Sequence, residues 1–125
     1  MAIRLTEDEF AEAVTEALQL LPDDFQRHMT DLAVDVQDLP DRQTLTELGI
    51  KDQRGLLGMY HGLPLTRRSV GHLLRMPERI VLYQRNIERI CRSRRDVIDQ
   101  IRRTVLHEVG HHFGMDERRL RELGY

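Results

Sequence analysis

Apolar residues recur along this chain with two different periods, and the changes of period divide it into elements. Phe10, Val14, Ala17, Leu18 and Leu21 follow one another at three- and four-residue steps until Pro22, the spacing that lines one face of an α-helix. Thr6-Glu7-Asp8-Glu9 stands before them as a capping box, with Leu5 and Phe10 placed as a hydrophobic staple. Such a helix has one apolar stripe to bury, and a sheet is the expected partner. From Thr30 to Gln37 the period falls to two. Leu32, Val34 and Val36 alternate with Ala33, Asp35 and Gln37, which predicts a half-buried strand. Asp41 is placed to cap a short helical turn through Leu48 that Gly49 closes.

Gly55 to Gly62 reads as a second strand bounded by glycines and stopped by Gly62-Leu63-Pro64. Gly58 inside it marks an edge where another backbone comes close. Ser69 to Met76 fits neither period, and Met76-Pro77-Glu78 is a turn. Ile80, Val81, Leu82 and Tyr83 form a short apolar run suited to an internal strand, after which Arg85 to Arg95 is polar and irregular. From Ser93 or Asp96 a second long helix begins, whose stripe is Val97, Ile98, Ile101, Val105, Val109 and Phe113. The stripe covers roughly half the circumference, and Arg102 fits it badly. Arg118 to Leu123 can add one or two turns with Leu120 and Leu123 inward.

Composition changes this picture little. A chain of 125 residues makes one domain. No stretch of eighteen apolar residues exists, so nothing is expected to span a membrane. An acidic N-terminus without an apolar signal segment, and a single cysteine, Cys91, that cannot form an internal disulfide, point to the cytoplasm. Charge is uneven: residues 1–50 carry a balance of −9 and residues 51–125 one of +7, with eighteen of the nineteen cations arginine. Two halves that complement each other within one fold account for this, and nucleic acid need not be invoked. The oligomeric state is not encoded in any pattern found here.

The second helix changes the picture more, because it runs into His107-Glu108-Val109-Gly110-His111, an H-E-x-x-H motif. Residues four apart share a helix face, so His107 and His111 can offer two imidazoles to one ion, and both fall outside the apolar stripe. Glu108, one residue away, stays out of the ligand set but close to water activated by the ion, where a general base belongs. Gly114 can turn the chain, and Glu117 then stands ten residues after His107. That is the third-ligand position of H-E-x-x-H-x-x-G-x-x-H. A carboxylate is an acceptable zinc ligand there, with Asp116 the competing candidate. The acid that does not bind can hydrogen-bond a ligand histidine.

Other histidines and phenols are weaker candidates. His112 points about a quarter turn from His111 and suits packing or hydrogen bonding. Tyr60, His61, Tyr83 and Tyr125 are candidates for stabilising an oxyanion, Tyr60 and His61 the better placed beside the second strand. Cys91 reads as a buried small hydrophobe.

The string HEVGHHFGMDE, together with LLGMYHGLPLTRR at 56–68 and RIVLYQRNIE at 79–88, resembles the small bacterial zincin-like minimal metallopeptidase family. The resemblance implies an α+β zincin-like domain over 1–125, with a small mixed sheet of about three to four strands backed by helices and the active-site helix near the C-terminus. It implies zinc held by His107, His111 and an acidic third residue, Glu117 or Asp116, and peptide-bond hydrolysis with Glu108 as general base. A peptide or protein substrate would lie along an edge strand, for which Leu56 to His61 is the candidate. The chain departs from larger relatives in having eight residues after Glu117, so no Met-turn or lower subdomain is expected, and Met115 comes too early to serve as one.

Two other classes compete. A metal-dependent endoribonuclease family carries H-G-x-x-H-x-x-G-x-D-H, which Gly114-Met115-Asp116 and the arginine surplus resemble. Glu108 and Glu117 replace its glycine and third histidine, and two extra carboxylates are poor partners for phosphate. The third class is a catalytically silent metal-binding interaction domain.

Overall fold

A computed structural model describes residues 1–30, 32–62, 78–112 and 117–122. In chain order they form α1 (Glu7–Gln19), α2 (Asp23–His28), β1 (Ala33–Gln37), α3 (Arg42–Leu48), a 3-10 turn (Gln53–Gly55), β2 (Gly58–His61), β3 (Arg79–Tyr83), α4 (Gln84–Arg89), α5 (Arg94–His112) and α6 (Glu117–Glu122). The architecture is a small mixed α+β fold. The expectations for Ser69 to Met76, the Met76-Pro77 part of the turn, Phe113 and Leu123, and the inward side chain of Leu120, lie outside the described residues.

Local sequence explains the helix ends. Thr6 accepts from the Glu9 amide at 3.1 Å while the Glu9 carboxylate accepts from the Thr6 amide at 2.9 Å, and this reciprocal pair holds the Glu9 carboxyl below its ordinary range. Asp41 accepts from the Thr44 amide at 2.7 Å, and Gly49 closes α3 in the left-handed region at φ 69.

The sheet has the order β1-β3-β2, with β1 parallel and β2 antiparallel to the central β3. Register and the two-residue period assign the faces. Ile80 pairs with Val34 and Tyr60, and Leu82 with Val36 and Gly58, on the side that joins the helical core. Val81 and Tyr83 point the other way and are equally buried. Having both neighbours and both faces covered is why β3 is a continuous apolar run. β1 is shallower than its alternation predicts: it starts at Ala33, and Val36 is 41% exposed. Among the described strands it occupies an edge, with β3 as its one neighbour.

The helical layer also departs from expectation. α1 packs chiefly along α5. Phe10, Ala13, Val14 and Ala17 meet Val97, Ile101, Val105 and Val109 in one cluster with Ile80 and Leu82, and Arg94 pairs with Glu16 across the two helices. Leu106, absent from the predicted stripe, is fully buried, while the misfit Arg102 is half-buried. Cys91 is buried as expected, and desolvation first, then Asp96 and Glu88, pushes its thiol up to about 11. Among the described residues no helix is long and apolar enough to cross a membrane.

α4 and α2 are the elements that periodicity did not predict. α4 reads as polar because it buries Gln84, Asn86 and Glu88. Glu88 accepts from the Leu5 amide at 2.7 Å, from Gln84 Nε2 at 3.2 Å and from Arg85 at 2.8 Å. Gln84 also donates to the Leu5 carbonyl at 3.1 Å. From the same helix Asn86 Nδ2 donates to the carbonyls of Gln53 at 2.7 Å and Leu56 at 2.9 Å. These hydrogen bonds from buried side chains tie α4 to two segments far away in sequence.

Candidate active site

The motif helix α5 starts where Ser93 accepts from the Asp96 amide at 3.1 Å and runs to His112. His107, Glu108 and His111 all lie on it. His107 and Glu108 are half-buried and line one cleft of about 230 Å³. Gln100, Arg103 and Thr104 complete the helical wall, and Gly55, Leu56, Leu57 and Gly58 form the facing wall. His111 follows His107 by one turn, and Glu117 begins α6, which packs against α5 and is tied to α2 through Arg119 and Asp24 at 3.3 Å. The side chains of His111, His112 and Glu117 lie outside the described residues, as do Gly114, Met115 and Asp116.

The facing wall is held from behind. Asn86 takes the carbonyls of Gln53 and Leu56, and the Tyr83 amide donates to the carbonyl of Leu57 at 2.9 Å. Its approach to the helix depends on Gly58. A Cβ at that position would stand 2.8 Å from the Thr104 methyl and 3.1 Å from the Val81 carbonyl oxygen. Gly58→Ala is therefore expected to cost about 1–3 kcal/mol, read as a lowered urea midpoint. Thr104→Ser, which removes the contacting methyl, should recover part of that loss in the double variant; full additivity would refute the contact.

Gln100, Thr104 and Glu108 form one row at four-residue steps, and Gln100 Nε2 donates to the Thr104 hydroxyl at 3.2 Å. No apolar period marks this row, and the four-residue step back from Glu108 is its one signal in the sequence. Tyr60, His61 and Tyr83 are not among the residues that line the cleft. Tyr60 faces the helices, but its ring packs over Gly62 and its hydroxyl is buried. His61 lies opposite Arg79 on the other face of the sheet, where burial and then Arg79 hold its imidazole below the ordinary range. Tyr83 sits in the core, and Tyr125 lies outside the described residues.

The donor chemistry suits a divalent ion of zinc's kind: two imidazoles one turn apart on a helix, a following acidic segment, and a cleft open to water beside Glu108. Zinc would be held by His107 and His111 with Glu117 or Asp116.

Comparison with known proteins bears on the same region. A conserved hypothetical protein from Thermo thermophilus shares the fold with a TM-score of 0.55 and 25% identity, over 87% of this chain and 94% of the other. No curated protein matches. The model of a zincin-like metallopeptidase family matches residues 29–125, a span that takes in the sheet, both walls of the cleft and the motif helix. This chain belongs to the zincin-like metallopeptidases.

Proposed function

We propose that the protein is a zinc-dependent peptidase whose general base is Glu108. The observation that carries this reading is that His107 and Glu108 line one open cleft whose opposite wall leads into a sheet-edge strand. Zinc, when bound, supplies a Lewis acid that polarises the scissile carbonyl and lowers the pKa of water toward neutrality. The remaining chemistry belongs to the chain. Glu108 takes the proton of the attacking water and later delivers it to the leaving amine. His107 and His111, one turn apart on α5, would hold the metal, and Glu117, with Asp116 as the alternative, would complete the set.

An extended peptide lies along Leu56 to His61, where β2 is the edge among the described strands. Main-chain hydrogen bonding of that kind recognises a peptide without demanding one sequence. Among the described residues β2 has β3 on one side only, so its other side has backbone groups to offer. The buried cysteine fits a reducing compartment, the cytoplasm.

The test is turnover of a mixed peptide library followed by mass spectrometry. Cleavage should disappear on treatment with a zinc chelator and return on addition of zinc. Cleavage that survives complete metal removal sinks the reading, and stoichiometric zinc with no cleavage of any peptide points to the silent metal-binding domain.

A further inference from the structure

We infer that Arg103 recognises a carboxylate of the substrate about two residues from the bond that is cleaved. This deepens the peptidase reading and rests on it. Arg103 lines the cleft that holds His107 and Glu108, and it precedes His107 by four residues on the same ridge of α5. Four residues of helix rise about 6 Å. An extended peptide advances about 3.3 Å per residue, so a substrate running along this wall brings its second residue from the reacting carbonyl beneath Arg103.

Charge on the cleft walls singles out this side chain. Among the described residues lining the cleft, Arg103 is the only arginine or lysine. Gln100 and Thr104 beside it are neutral and bonded to each other, and Gly55 to Gly58 opposite carry no charge. Arg103 is exposed and, like several other surface arginines, makes no ion pair among the described residues; its place in the cleft is what sets it apart. Its guanidinium thus has its donors available to an incoming ligand. The planar fork of those donors matches a carboxylate in two parallel hydrogen bonds.

Glu108 sharpens the selection. Its own carboxylate repels an acidic group close to the scissile bond, so a substrate carboxylate is favoured at the Arg103 end of the cleft and disfavoured at the other. That carboxylate has two possible sources, an acidic side chain or the free C-terminus of a short peptide.

Two peptide series distinguish them, one with an Asp or Glu walked along an amidated peptide, the other without acidic side chains but with a free or amidated C-terminus. The ratio of kcat/KM between acid-bearing and neutral members is expected to fall about ten- to a hundredfold in Arg103→Ala. It should survive in part in Arg103→Lys and invert toward basic peptides in Arg103→Glu. Dependence in the first series identifies a side chain, dependence in the second a terminal carboxylate. The same peptides, labelled, are titrated by fluorescence anisotropy into zinc-loaded Glu108→Gln protein with and without the Arg103 substitutions. This binding arm reads Arg103 independently of turnover: absence of cleavage in the wild type counts against the peptidase reading, while affinities and ratios unmoved by Arg103→Ala and Arg103→Glu overturn this inference.

Discussion

Glu108→Gln is expected to lower peptide turnover by about 10²–10⁴-fold while zinc content stays at the wild-type level. The two side chains have nearly the same shape, and Glu108 stands at the cleft wall outside the core cluster, so the change removes basicity without removing packing. An amide cannot accept the proton of the attacking water, whereas His107 and His111 keep their nitrogens and the metal keeps its ligands. Parallel zinc analysis and initial-rate measurement on one cleaved peptide separate these effects. A variant that binds zinc and retains most of its turnover would remove Glu108 from the chemistry. Joint loss of zinc and turnover would instead place its carboxylate among the groups that hold the metal.

Glu88→Ala is expected to cost about 3–5 kcal/mol of folding stability, a large share of what a domain of this size has to spare. Glu88 is 3% exposed and takes hydrogen bonds from the Leu5 amide, Gln84 and Arg85. Alanine leaves the Leu5 amide and the Arg85 guanidinium facing a space without an acceptor, and burial makes those losses expensive. Arg85 keeps Asp38 at 4.0 Å and some access to water, which places the effect nearer the lower end. Glu88→Gln retains an acceptor for Leu5 and should cost about half as much. Urea denaturation gives both values, and hydrogen exchange at Leu5 and Ile3 should quicken, since Ile3 donates to the Cys91 carbonyl next to α4. A loss under about 1 kcal/mol for Glu88→Ala would show that the N-terminal segment is held by its apolar contacts alone.

The contrast between α1 and α4 shows how far the sequence could be read. α1 was legible because its signals lie within a few residues of one another: a cap that bonds three residues on, and a stripe that repeats every three or four. α3 was legible for the same reason, through Asp41 and Gly49. α4 was not, because Gln84, Asn86 and Glu88 look like solvent-facing residues until Leu5, Gln53 and Leu56, brought from far away in sequence, arrive to bond with them. α2 escapes the pattern because Pro22 ends the apolar run of α1, although a fixed φ near −56 also suits it to begin the next helix.

The site divides along the same line. The spacing of His107, Glu108 and His111 on a helix, and the acidic residues that follow a glycine, are matters of local covalent distance and helical repeat, so the chain alone determined that such a group of donors exists and pointed to its chemistry. That Gly55 to Gly58 should face Glu108, that Thr104 should lie against Gly58, and that Arg103 should stand in the cleft were decided by the packing of β2 on α5. Those neighbours are more than forty residues apart. Which distant segments meet depends on the balance of burial over the whole core, and no pattern within a single helix or strand carries that information.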